Sequence, residues 1–284
     1  MSHEQNQVSA KVPAPSHAGD AYTAAQDAQD AAAHHSSRMF KIWRGAGDSA
    51  KFEEYRQDVV EGMVVLDAVH EIQATQANDL AVRWNCKAGK CGSCSAEVNG
   101  VPKLMCMTRL DQLPANEPIT IEPMRAFPHV RDLVTDVSWN YRVKQQITKF
   151  TPRAPDAPDG TWRIQQTDVD RVQEFRKCIE CFLCQDVCHV LRDHHKHDAF
   201  IGPRYLVYAA ALEMHPLDTA DRVPELKQAH GIGFCNITKC CTTVCPEHIT
   251  ITDNAIIPLK ERVVDEFYDP IGKLVKIFSR RKKG

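Results

Sequence analysis

All but one of the twelve cysteines in this chain fall into three groups whose spacing suits iron–sulfur ligation. The first group is Cys86-x4-Cys91-x2-Cys94, followed by Cys106. The second is Cys178-x2-Cys181-x2-Cys184-x3-Cys188. The third is Cys235-x5-Cys241-x3-Cys245-Pro246, with Cys240 beside it and out of register. Thiolates suit iron because both partners are soft and a cluster needs anionic donors. The first spacing is the plant-type [2Fe–2S] pattern and the second the bacterial [4Fe–4S] pattern. A row of such centres on one polypeptide is a wire, and a wire implies an electron source and an electron sink. In the first loop, Gly89 and Gly92 let the backbone curl so that N–H groups face the sulfides. Those hydrogen bonds tune the reduction potential. The competing readings are a structural zinc site or free core thiols; zinc loops more often carry two CxxC pairs.

The second and third groups belong together. In two-cluster ferredoxins the last cysteine of each run ligates the other cluster. Cys245 then joins Cys178, Cys181 and Cys184 in one [4Fe–4S] site. The CxxCxxCxxxCP template laid on the third group falls on Cys235, Thr238, Cys241 and Cys245, so its second position is not a cysteine. The other cluster keeps Cys188, Cys235 and Cys241. Three ligands and a blocked corner predict a [3Fe–4S] cluster. Cys240 reads as a spare thiol beside it; swung in as a ligand, it would restore a second [4Fe–4S] site.

The elements that must hold these loops differ between the two halves. Met39-Phe-Lys-Ile-Trp43 and Leu80-Ala-Val-Arg-Trp84 have strand character, and Val65, Ala68, Val69 and Ile72 share one helix face. Asn99-Gly100 between two short apolar runs signals a hairpin, and Ile119-Thr-Ile-Glu122 is a last strand. Order is expected to begin at Met39, in a small α+β domain. The Pro-rich stretch 151–160 reads as a loop. Val169, Val172 and Phe175 stripe a helix entering the second cysteine run, Pro203 opens another, and Pro258 a third with Leu259, Val263 and Phe267 on one side. Asp269-Pro270 caps a last helix with Ile271, Leu274, Val275 and Phe278 apolar, ending in Arg280-Arg-Lys-Lys283. Such a segment suits either an anionic membrane surface or a partner protein.

Length and charge bound the rest. At 284 residues the chain exceeds one average domain. A formal net charge of −2 leaves nucleic acid without an evident role as partner. No stretch approaches the roughly 18 apolar residues of a membrane span, and the start lacks a secretory pattern. The expected setting is a reducing compartment, where clustered cysteines bind metal rather than pair. Residues 1–37 lack apolar periodicity and read as a disordered tail; His34-His35 within it read as solvated.

A plant-type [2Fe–2S] pattern followed by a [4Fe–4S]/[3Fe–4S] pattern resembles the iron–sulfur subunit of succinate dehydrogenase and fumarate reductase. The resemblance covers about residues 39–270. It is nearest the actinobacterial branch through Trp84-Asn-Cys-Lys-Ala-Gly-Lys-Cys-Gly-Ser-Cys and Cys235-Asn-Ile-Thr-Lys-Cys-Cys. It implies an α+β protein: a β-grasp plant-type ferredoxin domain over 38–138, then a helical bacterial-ferredoxin-type domain over 139–284. It implies a flavoprotein partner with FAD, where succinate and fumarate interconvert, and a membrane anchor bearing haem b near a quinone site. The chain is then peripheral, on the cytoplasmic side of a prokaryotic membrane. Family members usually have Pro where this chain has His189, tryptophans near Val190-Leu-Arg-Asp193, and His where Asn236 stands. These departures favour menaquinone over a ubiquinone pocket and mark His189, Arg192, Asn236 and Thr238 as quinone-proximal. His189, His194, His195 and His197 form either a proton relay or a solvated loop. The alternative function is the iron–sulfur wire of another flavoprotein complex, such as a thiol-dependent fumarate reductase or a heterodisulfide-reductase-like system.

Overall fold

The computed structural model describes residues 36–270. Most of the expected tail, and the apolar positions and basic end of the expected last helix, lie outside the described residues. Strand β1 (Ser36–Arg44) starts ahead of the expected Met39 and turns its Phe40, Ile42 and Arg44 inward. It pairs antiparallel with β2 (Lys51–Val59), Ser36 opposite Val59 and Arg44 opposite Lys51. Sequence reasoning missed β2. As an outer strand it buries only Tyr55 and Val59, and its charged outward face protects an exposed edge.

Helix α1 (Val65–Thr75) buries Val65, Ala68, Val69 and Ile72, the face its spacing predicts, with Leu66 added. Strands β3 (Ser95–Val98) and β4 (Val101–Leu104) meet through Asn99 and Gly100, whose φ values of 50° and 71° are those of a type I′ turn. Strand β5 (Ile119–Glu122) runs parallel to β1 and antiparallel to β3, giving the order β2-β1-β5-β3-β4. Sheet and α1 share one core that includes Phe40, Ile42, Val69, Val98, Ile119 and Ile121.

The stretch Leu80–Trp84, expected as a strand, is irregular. The Ala81 N–H donates to the Asp132 carboxylate at 2.7 Å instead of to a strand. Asp132 also accepts from Gly45 N at 2.6 Å and Arg44 Nε at 3.1 Å. It sits at the turn between short strands β6 (His129–Arg131) and β7 (Val134–Thr135).

The second half is helical. Helix α2 (Ser138–Gln146) is too polar to show a stripe and buries only Asn140 and Val143. In α3 (Gln166–Gln173) and the 3-10 turn after it, Val172 and Phe175 are buried while Val169 stays partly exposed. Short helices α4 (Leu183–Asp186) and α5 (His189–Arg192) carry the second cysteine run. Pro203 stands in the first turn of α6 (Gly202–Glu213). Helix α7 (Val223–Gln228) and α8 (Cys240–Thr243) follow. A π-helical turn Ile251–Ile256 leads into α9 (Ile257–Phe267), which has Pro258 in its first turn and buries Leu259 and Val263.

The two cores exchange residues. Cys181 and Leu183 pack into the sheet core, and Met124, Ala126 and Phe127 pack into the helical one. The cysteine loops therefore sit at the seam between the halves.

Candidate metal centres

The first loop wraps its own sulfur atoms. Lys90 N and Ala88 N donate to Cys86 Sγ at 3.3 and 3.4 Å, and Cys86 N lies 3.5 Å from Cys91 Sγ. Burial opposes ionisation of Cys91, but hydrogen bonds from Ser93 and Cys86 outweigh it and bring the thiol down to about 6. Burial pushes Cys94 up to about 12, beside Cys106, which the β3–β4 hairpin returns to the loop. Met105 N, next to Cys106, donates to Cys94 O at 3.1 Å.

The second and third loops repeat one backbone. Glu180 and Phe182 are left-handed, with φ of 55° and 63°, and so are Ile237 and Lys239, both at 62°. The hydrogen bonds repeat as well. Gln185 N reaches Phe182 O at 3.0 Å, as Thr242 N reaches Lys239 O at 3.0 Å. Cys178 N reaches Phe175 O at 3.4 Å, as Cys235 N reaches Ile232 O at 3.3 Å. This equivalence lays Thr238 on Cys181, Cys241 on Cys184, Cys245 on Cys188, and Cys240 on Leu183. Left-handed side-chain-bearing residues cost roughly 1–2 kcal/mol each. A tight loop that turns its N–H groups inward is the arrangement that offsets this.

Each of two cavities takes cysteines from both runs. One is lined by Cys178, Cys181, Cys184 and Cys245, with Arg204 and the apolar Ile249 and Ile251. The other is lined by Cys188, Cys235, Cys240 and Cys241, with His189, Asn236, Thr238 and Thr252. Burial pushes Cys181 and Cys188 up to about 12 and Cys241 to about 11, and neighbouring thiols add to it in each case. Cys184 is driven well above its ordinary value for the same reasons. Crowded buried thiols of this kind stay protonated until a metal supplies positive charge, so the donor set fits iron–sulfur clusters. Among the described residues no three His, Cys, Asp or Glu side chains converge closely enough to hold a single metal ion. The thiols ring spaces instead.

The two cluster-bearing halves touch at their loops. A Cβ on Gly92 would lie 2.6 Å from Cys181 Cα, at a φ of +69°. Only glycine permits that approach and that backbone. Ser95 Oγ donates to Cys181 O at 2.9 Å, and Lys90 pairs with Glu247 at 3.2 Å.

The residues expected near a quinone separate into two sets. His189, Asn236 and Thr238 line the second cavity, and Thr238 Oγ1 is 3.2 Å from Cys240 Sγ. Arg192 is elsewhere. Its guanidinium lies 2.9 Å from the buried carboxylate of Glu97 on β3, which draws it into the seam between the halves. The four histidines meet different neighbours. His189 and His194 have ring centroids 6.1 Å apart, whereas His197 packs edge-on against Trp139 at 4.8 Å, and burial lowers its pKa. Sequence reasoning missed Arg204 and Thr252. Thr252 Oγ1 stands 3.5 Å from Cys241 Sγ, and neither residue belongs to a cysteine spacing that would mark it.

Residues 39–141 match the family model described as a 2Fe-2S iron-sulfur cluster binding domain, and residues 174–249 match that of a 4Fe-4S dicluster domain. Fold and site thus define a two-part ferredoxin-type electron carrier. The fumarate reductase iron-sulfur subunit of Mycobacterium tuberculosis (strain CDC 1551 / Oshkosh) is 33% identical over 203 residues, 70% of this chain and 80% of that protein. A chain of the Mycobacterium smegmatis Sdh1 complex in the apo form superposes with a TM-score of 0.81 at 58% identity, over 84% of this chain and 100% of that one. The succinate dehydrogenase iron-sulfur subunit of Paracoccus denitrificans is 26% identical over 234 residues, 80% of this chain and 88% of that protein. The chain belongs to the family of iron–sulfur subunits of succinate dehydrogenase and fumarate reductase. It is an electron-transfer component of an oxidoreductase.

Proposed function

We propose that the chain conducts electrons between the FAD of a flavoprotein subunit, where succinate and fumarate interconvert, and a quinone, here menaquinone, at a membrane anchor carrying haem b. Cys86, Cys91, Cys94 and Cys106 hold a [2Fe–2S] cluster. Cys178, Cys181, Cys184 and Cys245 hold a [4Fe–4S] cluster, and Cys188, Cys235 and Cys241 a [3Fe–4S] cluster. When bound, these clusters supply one-electron carriers between two partners that each exchange two electrons. The chain's own task is to hold them in series, keep water out and set their potentials. The domains divide as a tail over 1–37, a [2Fe–2S] domain over 38–138 and a helical domain over 139–284.

The observation that carries this reading is the pair of cavities, each lined by cysteines of both runs, with Thr238 in the backbone place of Cys181. His189, Asn236 and Thr238 are the quinone-proximal residues. Exposed Phe234 and Ile237 flank Cys235 and support contact of this face with the anchor. No helix among the described residues is long and apolar enough to cross a membrane. In this reading the anchor holds the chain peripherally at the cytoplasmic side of a prokaryotic membrane.

Low-temperature EPR on anaerobically purified, oxidised protein tests it. Oxidised [3Fe–4S] is paramagnetic, whereas oxidised [2Fe–2S] and ordinary [4Fe–4S] clusters are silent. A signal near one spin per chain is expected. Silence, with one more iron per chain than the three proposed clusters contain, would mean that Cys240 or another donor completes a second [4Fe–4S] cluster. The wire of another flavoprotein complex would then be the better reading.

A further inference from the structure

Arg204 stands in the first turn of α6 with its guanidinium almost wholly buried. It lines the cavity of Cys178, Cys181, Cys184 and Cys245. One terminal nitrogen donates to Glu180 Oε1 at 2.6 Å, and Lys144 grips the same oxygen. The planar group lies over Tyr205 and Tyr208, with centroids 5.5 and 5.6 Å away. Its Nε–H is buried and, among the described residues, has no hydrogen-bond partner. Arginine keeps its charge at any ordinary pH, and a buried donor without an acceptor is costly. A cluster held in the cavity it lines would offer sulfur as the acceptor. Besides Glu180, the groups acting on its charge are the thiols of Cys178 and Cys184.

Among the described residues the other cysteine cavity has no counterpart. Its lining cation Lys239 is exposed and paired with Asp253. The two loops repeat one backbone, yet among the described residues only the first faces a buried arginine.

We propose that Arg204 is a potential-setting residue for the [4Fe–4S] cluster, donating from Nε toward its sulfur ligands and raising its reduction potential, with Glu180 and Lys144 fixing the guanidinium in place. This rests on the cluster assignment of the preceding section. Reduction adds one electron and hence one negative charge to the cluster, so a nearby cation stabilises the reduced form. Arg204, Lys144 and Glu180 together leave one net positive charge at the cavity wall. Removing Arg204 leaves a neutral pair. Removing the charge of Glu180 frees a second positive charge.

The test is an EPR-monitored redox titration of the intact complex, read as the midpoint of the reduced four-iron signal. Arg204→Gln is expected to shift the one-electron equilibrium about tenfold toward the oxidised cluster, a fall of about 59 mV. Arg204→Lys, which keeps the charge and loses the Nε donor, is expected to fall less. Glu180→Gln is expected to move the midpoint up and Lys144→Met to move it down. This opposed pair carries the test if Arg204→Gln does not accumulate. A merely structural role would change yield but not shift the midpoint with the sign of the charge. A wild-type complex without a four-iron signal would overturn the cluster assignment, and this inference with it. A normal signal whose midpoint ignores these substitutions would overturn this inference alone.

Discussion

Thr238 is the residue on which the nature of the last cluster turns. It occupies the backbone position that Cys181 occupies in the second run, and it lines the same cavity as Cys188, Cys235 and Cys241. A hydroxyl is a harder, weaker donor to iron than a thiolate, which is why the proposed assignment leaves the corner next to it empty. Thr238→Cys is expected to abolish the oxidised-state EPR signal and raise iron content by one per chain. Iron analysis with EPR on the same preparation checks both. Cys240 occupies the place of Leu183, which is a packing position. Cys240→Ser is therefore expected to leave the oxidised signal intact, whereas Cys241→Ser removes it. A signal lost on Cys240→Ser would show that this thiol is a ligand.

At the scale of elements, glycine and carboxylate stand where backbone must meet backbone. Gly92 lets the first cluster loop sit on Cys181, with no room for a side chain. Gly92→Ala combines overpacking, at about 1–3 kcal/mol, with an unfavourable left-handed conformation. Lower thermal stability and a weakened [2Fe–2S] signal in EPR of the reduced protein are expected. Asp132 ties three chain segments together through Gly45, Ala81 and Arg44. Burial alone would raise its pKa, but the backbone N–H groups of Ala81 and Gly45 and the guanidinium of Arg44 outweigh that and hold it below the ordinary carboxylate value. A carboxylate depressed in the folded state contributes its full stability above its unfolded pKa of about 3.9 and loses it as pH falls through the folded value. Wild-type protein is expected to lose stability below about pH 4. Asp132→Asn should be less stable at neutral pH and show a shallower acid decline. Urea unfolding between neutral and acid pH measures both, and parallel curves would rule out this role for Asp132.

For the molecule as a whole, the decisive feature is the seam. Glu97 on β3 is fully buried between Arg192, 2.9 Å away on α5, and Arg125, 3.2 Å away. Ala126 N donates to Asp186 beside it at 2.9 Å. Breaking a buried ion pair by removing one partner is strongly destabilising, because the remaining charge has no water to turn to. Arg192→Met is expected to cost about 3 kcal/mol, the low end for such a pair, since Arg125 still holds Glu97. The change should also widen the separation of the two cluster loops. Calorimetry of the complex, with freeze-quench EPR of electron arrival at the second cluster, reads stability and conduction separately. Stability and rates equal to wild type would show that the seam is held by apolar packing alone.

What the sequence by itself determined is local. Ligand loops are short, so the spacing of cysteines sets which thiols of one run can face one centre, whereas the sharing of each cavity between the two runs is decided by packing. The face of α1 and the Asn99-Gly100 hairpin were legible for the same reason, because a period or a turn type needs no distant partner. Distant partners decided the rest. Edge strand β2 lacks a period, since most of its side chains meet water. Leu80–Trp84 looks like a strand, yet its donor at Ala81 is claimed by a carboxylate 51 residues away. Arg192 follows the second cysteine run but turns to Glu97, 95 residues back along the chain. Arg204 belongs to no spacing at all, and only the packing of α6 against the second cysteine run brings its charge to the cavity wall. Covalent geometry acts over a few residues, whereas burial and charge pairing act between whichever residues the fold brings together.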